Sequence, residues 1–403
     1  MTIFTSKFRQ FKNHSSHVFL ALIVCGSFLT LFGLVYGFTK QRQSLRFQVE
    51  GMEAKNQQLS EQVSQYRTEI TNLEQEDQRV RNDQLQEELK TMQAAFKKSL
   101  ASYESLLDLK EGKGKSSVLD KQYALVLSTL SSNNYASASS LLASLDTQIQ
   151  KEQEKIASQS ATVAVTAVAS NTPPGSGFSR QKVQTSAGEF VVDIIAADLR
   201  SSKVIVDTAS DSTCTDNCPV LPLASYVSRS GAFAGINGTY FCPESYPTCA
   251  GKKNSFDLLV MNKNKAYFNS DNNVYSQNPV AVFSGTSARF FSKAQDWGRD
   301  TGVDSVISNF PLLVINGQNQ FGGNGDPKMS SRGVRGFLAA KDTFAYMGFV
   351  RNATVAEAAT VLQTLGMQHA LNLDSGGSSA LWFGGYKLGP GRSIPNAVLF
   401  VRK

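Results

Sequence analysis

The stretch ALNLDSGGSSALW, residues 370–382, decides how the chain is read. His369-Ala-Leu-Asn-Leu-Asp374 has the character of a short buried strand, and Ser-Gly-Gly-Ser-Ser follows as a loop. Glycines there let backbone N–H groups approach a ligand closely, and such a loop can cradle an anion. A carboxylate beside it, Asp374, can bind a sugar hydroxyl, hold a cation or stabilise positive charge on an anomeric carbon. The plainer alternative is a tight turn capped by its own Asp. Ser375 raises the question of a nucleophile, which needs a base to take its proton, usually a histidine. The chain has three histidines. His14 and His17 precede an apolar segment, and His369 lies only a few residues before Ser375. The serine-protease reading therefore fails.

Working outward, Thr354-Val-Ala-Glu357 is a capping box. Val355, Ala358, Leu362 and Leu365 give one apolar helix face, and Gly366 is a natural stop. Around this helix the sequence alternates: EFVVDIIAADL, SKVIVDTAS, DLLVMNKNKAYF, PVAVFSG, FPLLVING, GFLAAKDTFAYMGFV and AVLFVRK read as strands between turn-formers. The expectation for residues 178–403 is an α+β domain, mostly β, large enough for its own core.

The preceding half is different. Val18–Phe38 has no charged residue and reads as an uncleaved transmembrane anchor, with residues 1–17 as a short basic cytoplasmic tail. Over 45–110, Val49, Met52, Leu59, Val63, Tyr66, Ile70, Leu73 and Val80 keep a heptad rhythm, with Asn56 at an a-like position. This predicts a coiled-coil stalk that forms a homodimer, against a single long helix packed on its neighbours. Residues 116–156 predict an all-α helical hairpin hinged at Asn133-Asn134. The small, uncharged stretch 157–177, ending Pro-Pro-Gly-Ser-Gly, predicts a linker.

Net charge is +7, but the basic residues are scattered and no aromatic-interleaved basic cluster points to nucleic acid. Cys214, Cys218, Cys242 and Cys249 share the C-terminal half and suit two disulfides in an oxidising space, with connectivity open. A zinc site is the weaker reading, because the spacings lack C-x2-C knuckles. Disulfides imply an N-terminus inside and an extracytoplasmic C-terminal domain, hence a single-pass membrane protein.

Further blocks surround the Asp374 loop. Asn237-Gly238-Thr239-Tyr240-Phe241 ends a strand, FPLLVINGQ occupies 310–318, Arg332-Gly333-Val334-Arg335-Gly336 precedes another strand, and Arg392-Ser393-Ile394-Pro395-Asn396 precedes the last. In this order, with Asn372-Leu373-Asp374-Ser375-Gly376-Gly377-Ser378, they resemble the phosphodiester glycosidase family. That family includes the lysosomal uncovering enzyme that exposes mannose 6-phosphate, and bacterial relatives. The resemblance covers roughly 180–403.

It implies cleavage of the bond between an anomeric carbon and a phosphate oxygen in a sugar-1-phosphodiester, here in a surface glycan. Asp374 and Arg332 would be catalytic. Asn237, Arg392, Asn396, Ser375, Gly376, Gly377 and Ser378 would bind substrate. A divalent cation held by Asp374 is a candidate cofactor. Ser375 stands where the family usually has glycine, and Arg335 replaces an apolar residue. Strand alternation from Arg332 would turn Arg335 to the opposite face, in a structural or solvent-facing role. The Asp-Gly that the family often carries after its next strand is missing from Tyr346–Arg351, with Glu244 or Asp257 as substitutes. That absence, with the long stalk, motivates the alternative: a non-catalytic scaffold that binds glycan or protein.

Overall fold

A computed structural model describes residues 7–75, 77–111, 116–162, 167–270, 276–300 and 302–403; side chains before residue 26, at 28, at 74–78 and at 156–166 lie outside the described set. The chain divides into two compact units, Met1–Leu89 and Lys90–Lys403.

The first unit is helical, built from the helix Lys7–Gln75 and the beginning of the helix Asp77–Glu111. Its heptad residues Val49, Met52, Leu59, Val63, Tyr66, Ile70 and Leu73 are exposed. The expected anchor at 18–38 is corrected here. Among the described residues, no helix is long and apolar enough to cross a membrane. The helix runs through this stretch into polar sequence. The single-pass topology, with its cytoplasmic tail at 1–17, loses its support with the anchor. The side chains of that tail lie outside the described residues. What stands is an N-terminal helical region and a mostly-sheet C-terminal domain.

In the second unit the end of the helix Asp77–Glu111 packs with the helices Ser117–Ser131 and Tyr135–Thr162. Ala95, Val126, Leu130 and Leu142 fill one layer between them, and Leu106, Leu109, Leu119, Leu145 and Ile149 another. The region read as a linker is partly built: the third helix runs to Thr162, and Val168–Ala169 pairs in parallel with the strand Gly177–Thr185.

Three sheets form the rest. The largest has eight strands; its centre runs Gly188–Asp198, Phe344–Ala353, Gly333–Lys341 and His369–Asn372, all antiparallel. The period of two is explicit. Phe190, Val192, Ile194 and Ala196, with Phe337 and Ala339, face the helix Val355–Thr364. Ile195, Ala197, Leu338, Ala340 and Met347 face the other way, into a core shared with both smaller sheets. Asp193 is buried within this sheet and is held by Arg180 and Arg351. The strand that lacks the family carboxylate thus ends in a structural ion pair.

One five-stranded sheet contains the strands Ala234–Asn237, Asn396–Arg402 and Leu381–Phe383. Its strand ends at Asn237 and Asn396 meet the end of His369–Asn372 from the large sheet. That junction positions the site.

Candidate active site

The loop after Asn372 is pinned from both sheets. The N–H of Leu373 donates to Gly336 O at 3.0 Å, and that of Asp374 to Gly238 O at 3.1 Å. Asn237 spans the loop base: its Nδ2 donates to Asp374 O at 2.7 Å, and its Oδ1 accepts from Ala380 N at 3.1 Å. Asn396 holds the partner turn, with Oδ1 accepting from Thr239 N at 3.0 Å and Nδ2 donating to Thr239 Oγ1 at 2.9 Å. Gly238 is required by this closeness, because a Cβ there would collide with Asn396 Oδ1. Asn237 and Asn396 are both buried.

Ser375 is tied to the sheet: Gly336 N donates to its Oγ at 3.0 Å. His369 stacks on Phe290, with ring centroids 5.4 Å apart, so its ring is engaged elsewhere.

Asp374 is half-buried, and its Oδ1 accepts from Ser375 N at 2.9 Å. Loss of hydration pushes its carboxyl up to about 7, against hydrogen bonds from Ser378 and Ser375 and the nearby positive charge of Arg392. A carboxyl poised near neutrality can exchange a proton with substrate or water at physiological pH.

Arg392 reaches the same loop. Its N–H donates to Gly377 O at 2.8 Å, and its guanidinium lies over the Tyr246 ring, 5.2 Å from the centroid. Its partners come from the helix Asp77–Glu111: Asp108, and Glu111 at 2.5 Å. Arg392 Nε is buried without a partner.

Arg332 is placed differently. It pairs with Glu357, the capping-box acid, donates to Asn352 O at 2.9 Å and lies over Phe190. Arg335 is bound by the carbonyls of Ala353, Lys328 and Ser331, and burial pulls its guanidinium down. A register shift between Gly333 and Arg335 breaks the strand alternation from which its direction was expected. Arg335 shares an electrostatic neighbourhood with Tyr240, which in turn feels Asp374.

Several neighbours were not anticipated. Tyr240 packs on Phe310 and accepts from Asn372 Nδ2 at 2.6 Å, while burial drives its phenol well above the usual range. Asn372 Oδ1 is buried without a partner. Tyr246, Asp108 and Glu111 were missed as well. The signal available for the acids was spacing: Glu104, Asp108 and Glu111 fall at i, i+4 and i+7, one helix face. The substitutes Glu244 and Asp257 are both exposed.

The cysteines form Cys214–Cys218 and Cys242–Cys249, leaving no thiolates among them for zinc. Among the described residues, no three His, Cys, Asp or Glu side chains converge to hold a metal ion.

Residues 230–401 match the phosphodiester glycosidase family, so the resemblance read from the five blocks is borne out there. No curated protein matches the chain. Among solved structures, a hypothetical protein from Synechocystis is similar at 14% identity and a TM-score of 0.39, covering 56% of this chain and 62% of its own. The chain thus spans less than two thirds of that protein's length. The zebrafish N-acetylglucosamine-1-phosphodiester alpha-N-acetylglucosaminidase catalytic domain, auto-inhibited by pro-peptide, is similar at 14% identity and a TM-score of 0.45, covering 59% of this chain and 87% of its own. An exported protein from Burkholderia pseudomallei is similar at 12% identity and a TM-score of 0.33, covering 53% and 74%. These structural likenesses are too distant to assign residue roles. The family match supports a hydrolase-like phosphodiester glycosidase domain.

Proposed function

We propose that the C-terminal domain hydrolyses sugar-1-phosphodiesters within a glycan. The observation that carries this reading is the convergence of Asp374 and Arg392 on the Ser375–Ser378 loop, inside the family-matched region. Arg392 binds the phosphate. As the bond between anomeric carbon and phosphate oxygen breaks, its electron pair leaves on the phosphate, already a weakly basic leaving group. Water forms the new bond to the anomeric carbon. The Asp374 carboxylate stabilises the developing positive charge and accepts the proton that water loses. Asn237 acts by holding the loop, and Asn396 by holding the turn beside it. Arg332, held by Glu357, serves in this reading as a support for the strand next to the loop.

The test is release of free sugar from synthetic sugar-1-phosphodiesters by the full-length chain, with and without divalent cations. Asp374→Asn is expected to lower turnover by about 100-fold or more, the usual range for a general base. Unchanged turnover in this variant rejects the assignment. Glycan binding without turnover, surviving Asp374→Asn, favours a non-catalytic binding module instead.

The exposed apolar stripe from Val49 to Leu73 supports self-association of the N-terminal helix. Sedimentation of the full chain is expected to give a dimer, and Leu59→Asp a monomer.

A further inference from the structure

The ion pairs of Arg392 do more than fix a loop. Glu104, Asp108 and Glu111 lie on one face of the helix Asp77–Glu111, while Leu106 and Leu109 on its other side pack into the helical core. All three acids reach the β domain. Glu104 bonds Thr248 and lies 3.4 Å from Lys328 Nζ. Asp108 pairs with Arg392 and accepts from Tyr246, and Glu111 pairs with Arg392 and accepts from Ser245 Oγ at 3.3 Å. Gly377 leaves room for this approach, because a Cβ there would strike both Glu111 and the Arg392 guanidinium.

We propose that Arg392, Tyr246 and Ser245 form a phosphate subsite, and that Asp108 and Glu111 fill it in the resting chain as carboxylate stand-ins. The helix end is then a displaceable plug. This rests on the glycosidase reading only for the identity of the anion.

Charge decides between a plug and a permanent support. Two carboxylates around one guanidinium leave the subsite net negative, so an incoming phosphodiester meets repulsion and finds its donors taken. The donor set suits an anion: a guanidinium, two hydroxyls and a buried Nε that the carboxylates leave unused. The acids also sit in the last turns of their helix, where the macrodipole disfavours negative charge. They are stabilised by the β domain rather than by their own helix. A contact held against local preference is one that a stronger anion can replace.

The experiment uses the full-length chain and inorganic phosphate as the probe, read by titration calorimetry. Asp108→Asn with Glu111→Gln is expected to bind phosphate at least about tenfold more tightly than the wild type, which corresponds to roughly 1.4 kcal/mol. Asp108→Asn alone should fall between them, and Arg392→Ala should abolish binding. In the wild type, saturating phosphate should raise hydrogen exchange across 104–111, a readout independent of any variant. Equal affinity in wild type and double variant, or unchanged exchange, overturns the plug. Loss of sugar-phosphodiester turnover in the double variant also overturns it, by making the acids part of the machinery. Tighter phosphate binding without turnover in any variant leaves the plug standing and removes the glycosidase reading. Turnover with equal phosphate affinity does the reverse.

Discussion

Asn237 and Asp374, 137 positions apart, are joined by a 2.7 Å hydrogen bond from the Asn237 side chain to the Asp374 carbonyl. The same side chain accepts from Ala380 N at 3.1 Å, so one amide closes both ends of the loop that carries Asp374. Asn237→Ala leaves a buried carbonyl and a buried N–H without partners. Each orphaned group costs about 1–3 kcal/mol, so a loss of roughly 2–6 kcal/mol is expected in urea unfolding. Turnover should fall too, because Asp374 loses its anchorage.

Gly238 gives a narrower test. Its missing side chain lets Asn396 Oδ1 reach Thr239 N. Gly238→Ala forces that amide away, and overpacking of this kind costs about 1–3 kcal/mol. Gly251→Ala has nothing for its Cβ to meet, but its positive φ adds backbone strain. It is therefore no clean control. Gly175→Ala, in open space with an ordinary φ, is the better one and should leave the melting temperature unchanged.

Much of the fold was legible because burial leaves a period. The alternation through Phe190–Ala197 and Phe337–Ala340 marks two-faced strands, and Thr354 with Glu357 announces the helix start. The Asp374 loop was legible from its glycines after a buried strand. What sequence could not supply was the meeting of distant segments. Arg392 and Asp108 are 284 positions apart, and nothing local joins an acidic helix face to a loop arginine. The bulge before Arg335 also defeats parity arguments, since one inserted residue exchanges the two faces. The apolar run at 18–38 was read from composition alone, and among the described residues no helix is long and apolar enough to cross a membrane.

The Cys242–Cys249 bond closes the loop carrying Ser245 and Tyr246, the two residues that meet Glu111 and Asp108. Replacing both cysteines by serine removes a short-loop constraint worth about 2–3 kcal/mol. The loss should concentrate locally. Hydrogen exchange is expected to rise at 242–249 and across 104–111, while the large sheet stays protected. Breaking Cys214–Cys218 in the same way should leave 104–111 unchanged.

Asp374 makes stability depend on pH in the direction opposite to an ordinary paired carboxylate. Its carboxyl is held near 7 in the folded chain, against 3.8 as the ordinary value, because burial penalises the charged form more than Ser378, Ser375 and Arg392 reward it. Between these two pH values the folded state binds the proton and the unfolded state does not, so stability falls as pH rises. The contribution is complete below about pH 4 and is lost as pH passes 7, a change on the order of 1–4 kcal/mol. Asp374→Asn cannot ionise, so the wild type should lose stability relative to the variant across that window in denaturant midpoints, and the variant should be the more stable protein at pH 8. Turnover should move the other way: the wild type should gain activity as the carboxylate forms around pH 7, and the variant should show no such limb. A wild type that gains stability relative to Asp374→Asn between pH 4 and 8 would place the carboxyl below its ordinary value and remove Asp374 as the proton acceptor near neutrality.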